Sequence, residues 1–194
     1  MIVYKLTDQN LQTYGGYQWE PGVARETDGS GDLCGPGWLH YYHDPLLSAL
    51  LNPIHADIAD PVLWEAEAEG LHRDDRGLKG GCTRLTLLRR IELPQITTEQ
   101  RVRFGILCAK VICDNPAWLA WPDRWLDGSD RSQEAVRAAV QAAWAAEAAA
   151  WAAWAAEAEA WAARAAETAA WAAEGTPLDL IAIAREALKG DSDE

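Results

Sequence analysis

From Arg131 to Glu174 the chain runs 44 residues without a Gly or a Pro, and alanine fills most of those positions. Alanine is the best helix former and no breaker interrupts it, so the tract predicts one long helix. Five tryptophans stand in it: Trp144, Trp151, Trp154, Trp161 and Trp171. Tryptophan is a mediocre helix former. The alanine background therefore supplies the helix, and the indoles supply a surface for packing or binding.

The larger residues form a repeating decad: Gln141, Trp144, Glu147; Trp151, Trp154, Glu157; Trp161, Arg164, Glu167; Trp171, Glu174. At about 100° per residue, ten residues advance about 1000°, which falls about 80° short of three turns. The large side chains therefore spiral around the helix. In coiled-coil terms a decad is a heptad plus three, a stammer that demands local overwinding. A continuous helix would be roughly 65 Å long. Its alanines let a second backbone approach closely, and each indole can bury about 150–250 Å². Five indoles left in water would form an apolar surface of the kind that marks an interface. The five tryptophans are accordingly the candidate interaction residues, and self-association or a partner protein is the expected use.

Charge narrows the partner. The net charge is −13, with 12 basic and 19 acidic residues in 1–130 and 5 and 11 in 131–194. Affinity for phosphate backbones comes from Lys and Arg, so direct nucleic-acid binding is not expected. An acidic chain suits a basic protein surface, including one whose usual ligand is nucleic acid. The opening MIVYKLTD lacks a basic leader followed by an apolar core. Glu147, Glu157, Glu159 and Arg164 interrupt the only long apolar run, which argues against a membrane span. Cys34, Cys82, Cys108 and Cys113 show no paired spacing, so a cytoplasmic chain with free thiols is expected.

Along the chain, the pattern predicts an α+β fold: a small mixed or antiparallel sheet domain over 1–115, a Trp-rich linker over 116–130, the long helix over 131–174 and a short C-terminal helix over 176–190. Ile2 to Leu6 and Trp38 to Tyr42 read as strands, and Leu46 to Leu51 reads as a helix stopped by Asn52-Pro53. From Val62 to Glu69 the alternation is clean, with Val62, Trp64, Ala66 and Ala68 facing one way and Glu65, Glu67 and Glu69 the other. Thr83 to Leu88 and Arg90 to Leu93 give one or two further strands. Thr97 and Gln100 form a capping box that opens a helix running to Asn115-Pro116. Asp130 or Ser132 caps the long helix. Thr176-Pro177-Leu178-Asp179 opens the last one, whose apolar stripe is Ile181, Ala184 and Leu188.

Functional residue types are densest between Cys34 and His43. Cys34, His40, His43 and His55 offer metal-ligand chemistry, but no CxxC pair or HxxxH spacing organises them, so no metal is expected. Cys34 with His40 lacks a predictable common face for nucleophilic work. No catalytic set and no cofactor follow from the residues alone.

The elements Gly35-Pro36-Gly37-Trp38-Leu39-His40, Asp44-Pro45-Leu46-Leu47, Leu63-Trp64-Glu65-Ala66-Glu67-Ala68-Glu69-Gly70 and Leu78-Lys79 carry a resemblance. Over about residues 1–115 the chain resembles an uncharacterised domain family of phage, prophage and bacterial proteins, often with alanine-rich tails. That resemblance implies a phage or mobile-element setting, in which small acidic proteins often antagonise host defence, anti-CRISPR proteins among them. A more distant resemblance is to the ADP-ribosyltransferase fold, through the Val3-Tyr4-Lys5 strand, the aromatic-Leu-His strand and later Glu-bearing strands. It implies a nucleotide pocket of the NAD type formed by Trp38, His40, Tyr42, His43 and Glu92, with Glu92 in place of the catalytic acid. The first strand offers Tyr4 and Lys5 where such enzymes carry His or Arg, which points to binding without turnover. The expectation taken forward is a non-enzymatic interaction protein, with nucleotide binding as the alternative.

Overall fold

The computed structural model describes residues 1–142, 160–173 and 178–189. The fold is α+β, and the chain divides into two compact units, Met1–Gln95 and Ile96–Glu194.

The first unit is built on antiparallel strands β1 (Ile2–Thr7), β2 (Gln12–Thr13), β3 (Tyr17–Gln18), β4 (Ala24–Glu26), β5 (Leu39–Tyr41), β6 (Val62–Asp74) and β7 (Gly80–Ile91), with helix α1 (Pro45–His55) after β5. Strands β1, β6, β7 and β4 lie side by side in that order, and β2 pairs with β3 in a separate hairpin. Strand β5 adds to β7 ahead of β4, with Leu39 opposite Cys82 and Tyr41 opposite Gly80. Just past β5, Tyr42 exchanges two backbone hydrogen bonds with Tyr4 of β1, at 2.7 and 2.9 Å. The sheet thus curls until its far edge meets its near one. Inside lie Val3, Trp19, Leu39, Tyr41, Val62, Trp64, Ala66, Ala68, Cys82, Leu85 and Leu87. The alternation expected for 62–69 is what places Trp64, Ala66 and Ala68 there. The buried indoles find acceptors: Trp64 Nε1 donates to Thr7 Oγ1 at 3.1 Å and Trp19 Nε1 to Thr13 Oγ1 at 3.1 Å. On the outer face Arg89 grips Glu65, and Arg84 bridges Glu69 and Glu26.

Two elements outrun their sequence limits. Strand β6 continues past Gly70 as far as Asp74, because Gly70 (φ +79°) makes a bulge whose next residue, Leu71, donates its N–H to Thr83 Oγ1 at 3.0 Å. The hairpin therefore extends to Asp74 and Gly80, and β7 is a single strand. Helix α1 contains Pro53 instead of ending at Asn52. Its last turn holds because the Asn52 carbonyl accepts from both Ala56 and Asp57, while the Asn52 side chain brackets Ile58 at 2.9 and 3.2 Å.

The second unit contains α2 (Thr98–Ile112), α3 (Pro116–Leu126), α4 (Gln133–Ala142), α5 (Ala160–Ala172) and α6 (Leu180–Leu188). Thr97 and Gln100 cap α2 reciprocally, as the sequence predicts. Helix α2 packs against α5 and α6. The compact units therefore divide after Gln95, before α2 and not at residue 115, because the buried side of α2 is matched to those later helices. Trp118, Trp121 and Trp125 of α3 are buried, and Arg131 stacks over Trp125 at 4.6 Å. Ser132 caps α4, accepting from Ala135 N–H at 3.2 Å. Asp179 caps α6, accepting from Ala182 N–H, and the expected opening at Thr176 lies outside the described residues. Its buried stripe is Leu180, Ala184 and Ala187, one position off the expected Ile181 and Leu188.

The alanine face finds its partner inside this unit. Ala162, Ala163, Ala165, Ala166, Ala169 and Ala170 of α5 are all buried. Where α5 meets α2, a Cβ on Gly105 would stand 2.9 Å from Ala162 Cα and 3.0 Å from its carbonyl oxygen. A Gly105→Ala substitution gains about 1 kcal/mol of helix propensity, but overpacking a tight interface costs about 1–3 kcal/mol. The obstructing atoms are backbone and cannot rotate away. Net destabilisation is expected, deeper for Gly105→Val, and urea denaturation measures it; equal or greater stability for both variants would show the two helices to be loosely apposed.

Candidate functional site

Strand alternation separates the residues that the sequence groups into one pocket. Trp38, His40 and Tyr42 point to one side of β5, while Leu39, Tyr41 and His43 point to the other. Trp38 is buried; its Nε1 donates to the Gly31 carbonyl at 3.3 Å, and the Arg73 guanidinium lies 4.8 Å from its ring. His40 sets Nε2 against the Leu33 carbonyl, and burial holds its imidazole below the ordinary value. Tyr42 is buried and stacks on His55 of α1 with centroids 6.0 Å apart; burial raises its phenol. Glu92 is exposed just beyond the end of β7, whereas His40 pairs with Gly81 near its start. On the order of 30 Å of strand separates those positions. The pocket of Trp38, His40, Tyr42, His43 and Glu92 is therefore not assembled.

His43 belongs to a different group, which the sequence did not reveal. The extended hairpin carries His72 and Asp74 to the same face as Tyr41 and His43, because His72 faces Cys82 and Asp74 faces Gly80. His43 Nε2 lies 2.8 Å from Asp74 Oδ2. The other oxygen, Asp74 Oδ1, accepts from Gly77 N–H at 2.8 Å, so a turn of the hairpin fixes the carboxylate. Tyr41 Oη lies 3.3 Å from His72 Nδ1. Both imidazoles stand edge-on to the Tyr41 ring, at 5.3 and 6.3 Å between centroids. That ring lies on Gly80, where any side chain would run into it. Burial, then the nearby Cys82 and Asp74, push the Tyr41 phenol up to about 12. The signal for this group is the alternation of Leu71-His72-Arg73-Asp74, which lies beyond the Val62 to Glu69 strand expected from the sequence.

Next to it, Lys5 donates to the His40 carbonyl at 2.7 Å and lies 5.2 Å from the Trp19 ring. Burial pulls its ammonium down to about 8. Cys82 is buried and donates to the Arg84 carbonyl at 3.1 Å; burial raises its thiol to about 11, which makes it a poor nucleophile. Cys34 is exposed, and all four cysteines are free. Among the described residues no three His, Cys, Asp or Glu side chains converge to hold a metal.

In the second unit, the face of α5 away from its alanines carries Trp161 and Trp171, 36% and 55% exposed, with Arg164 also exposed between them. The larger residues of the decad are the ones turned outward here. Trp144, Trp151 and Trp154 lie outside the described residues. No described helix is long and apolar enough to cross a membrane.

The half-buried His40 and His55 set a pH dependence. Burial pushes His55 down to about 3 and holds His40 below its ordinary value. The unfolded chain takes up protons near pH 6.5 that the folded chain refuses, so stability falls as pH drops from about 6.5 toward 3. The slope approaches about 1.4 kcal/mol per pH unit for each histidine kept neutral. Urea midpoints at pH 7.5 and pH 5 should therefore differ, and His55→Phe, which keeps the stack on Tyr42, should narrow the difference. An unchanged difference in that variant would remove His55 as a source.

Residues 1–99 match a domain of unknown function, DUF7666, and the chain belongs to that family. No curated protein and no solved structure matches it.

Proposed function

We propose that this protein works by protein–protein contact through its C-terminal helical unit, and not by chemistry on its partner. The observation that supports this reading is the two-sided character of α5. One side is a buried alanine face fitted to α2; the other holds Trp161 and Trp171 exposed on a helix whose packing is already satisfied. Tryptophan is strongly enriched among the residues that dominate binding energy, since it buries a large rigid surface with little rotamer entropy to lose.

Charge selects the occupant. At −13, two copies of this chain repel one another, whereas a protein with a basic rim around an apolar patch is attracted. The partner in this proposal is such a basic protein, and pairing with a second copy is an outcome of the test. A phage or prophage setting, with a host defence protein as the basic partner, is the biological form of the same reading. It draws on the acidic charge and on the resemblance of the N-terminal unit. The nucleotide alternative loses its basis with the separation of Glu92 from His40 and Tyr42.

The double variant Trp161→Ala, Trp171→Ala should keep its helical circular dichroism, because alanine is the better helix former at both positions. It should bind an identified basic partner about tenfold or more weakly, a loss of the size expected when central tryptophans are truncated. Partner affinity and light-scattering mass both equal to those of the parent chain would remove the reading. A mass that falls from dimer to monomer on substitution would replace the basic partner with a second copy.

A further inference from the structure

We infer that the outer face of the N-terminal sheet is a docking surface for an α-helix of a partner protein, one that presents small apolar residues around a single Lys or Arg. This surface lies in a different unit from the α5 surface, and either can fail without the other.

Residues directly opposite across paired strands share a face, so the registers arrange the outer side chains in rows. Ile2, Glu67, Thr86 and Ala24 form one row across β1, β6, β7 and β4. On one side of it runs the row Glu69, Arg84 and Glu26, and on the other the row Tyr4, Glu65 and Arg89. Each flanking row is closed by its own ion pairs. Arg84 donates Nε to Glu69 at 3.0 Å and reaches Glu26 with Nη1. Arg89 donates to both oxygens of Glu65, at 3.0 and 2.7 Å. These long side chains are tied along their rows and stand as two ridges. Between the ridges Thr86 and Ala24 are short and half-buried, while Ile2 is 52% exposed. The face is therefore a trough that crosses the strands.

Its dimensions suit a helix. From Glu65 to Glu69 the ridges stand about 13 Å apart, and a helix with its side chains is about 10–12 Å across. Four strands make the trough about 14 Å long, which is about nine residues of helix. The curl of the sheet confines contact to that length.

Charge selects which helix. Glu67 is exposed in the trough and meets no cation or hydrogen-bond donor among the described residues. The guanidiniums of the adjoining rows are already engaged. A helix without a cation would cover Glu67 and leave its carboxylate unpaired, which is costly. A Lys or Arg amid alanine-sized neighbours pairs it while the rest of the helix lies on Ile2, Thr86 and Ala24. A second copy of this chain is the poorer occupant, because a two-fold contact sets the same carboxylate-bearing patch against itself.

The test titrates the full chain with a stapled helical peptide carrying Ala and Leu around one Lys, followed by backbone amide NMR. Shifts should centre on Ile2, Glu67, Thr86 and Ala24. Glu67→Gln should weaken binding about tenfold, the loss expected for a hydrogen bond to a charged group. Thr86→Arg, which fills the trough, should abolish it. Glu92→Gln, at an exposed acid beyond the end of β7, should leave it unchanged. Equal losses in Glu67→Gln and Glu92→Gln, or shifts spread over the acidic surface at large, would mean general attraction and overturn the assignment. A dimer by light scattering that Thr86→Arg dissociates would give the face to a second copy and overturn it as well.

Discussion

Two backbone hydrogen bonds between Tyr4 and Tyr42 hold the N-terminal unit in its shape. Without them β5 would be a three-residue strand resting on the first turn of β7, with nothing on its other edge. With them, β5 is pinned on both sides, and the peptide after it turns directly into α1 through Asp44, whose carboxylate caps Leu46 N–H at 2.8 Å. His43 sits between those two fixed points. Its reach to Asp74 is therefore a consequence of sheet closure and not of any local motif. The same closure gives the interior its odd composition, with Lys5 lodged beside Trp19 and its ammonium satisfied by the His40 carbonyl.

A different economy of surface governs the helical unit. Alanine buries little area per residue, so a helix faced with it gains little from the hydrophobic effect at any one position. What it gains is proximity. The α5 backbone approaches α2 at Gly105 closely enough that no Cβ fits there, and dispersion contacts accumulate between main chains. The large apolar volume of this unit is supplied elsewhere, by Trp118, Trp121, Trp125, Phe104 and Ile106. Trp121 is buried, and among the described residues its Nε1 meets no acceptor, so packing there has outweighed a hydrogen bond within the fold.

Periodicity made much of this legible. The α+β class, the strand at 62–69 with its inward Trp64, Ala66 and Ala68, the capping box at Thr97 and the close-packing role of the alanines all follow from residue spacing and size. The failures share one physical cause. The expected strand stops at Glu69 and the expected helix at Asn52-Pro53, whereas neighbouring side chains, Thr83 and Asn52, restore the backbone hydrogen bonding that Gly70 and Pro53 disturb. Once the hairpin is cut short at Gly70, His72 and Asp74 vanish from the sheet. Local spacing groups the functional residue types along the chain at Cys34–His43, whereas the fold groups them across the sheet. Register between distant strands is set by tertiary closure, and no local pattern in β5 announces that Tyr41 will lie over Gly80.

The exposed indoles can be weighed against what an interface needs. A tryptophan can bury about 150–250 Å², and roughly half of that remains uncovered at Trp171 and about a third at Trp161. At about 25 cal/mol per Å², covering both would release roughly 4 kcal/mol before any ordering cost. That corresponds to about three orders of magnitude in affinity, enough to decide between partners but too little to hold one alone once translational and rotational freedom are lost. In the proposed contact the remainder would come from the rim, where the acidic excess of the chain would meet opposite charge. Contact of this kind is fast to form, sensitive to salt and readily reversed, because its long-range part is Coulombic and its apolar core is small.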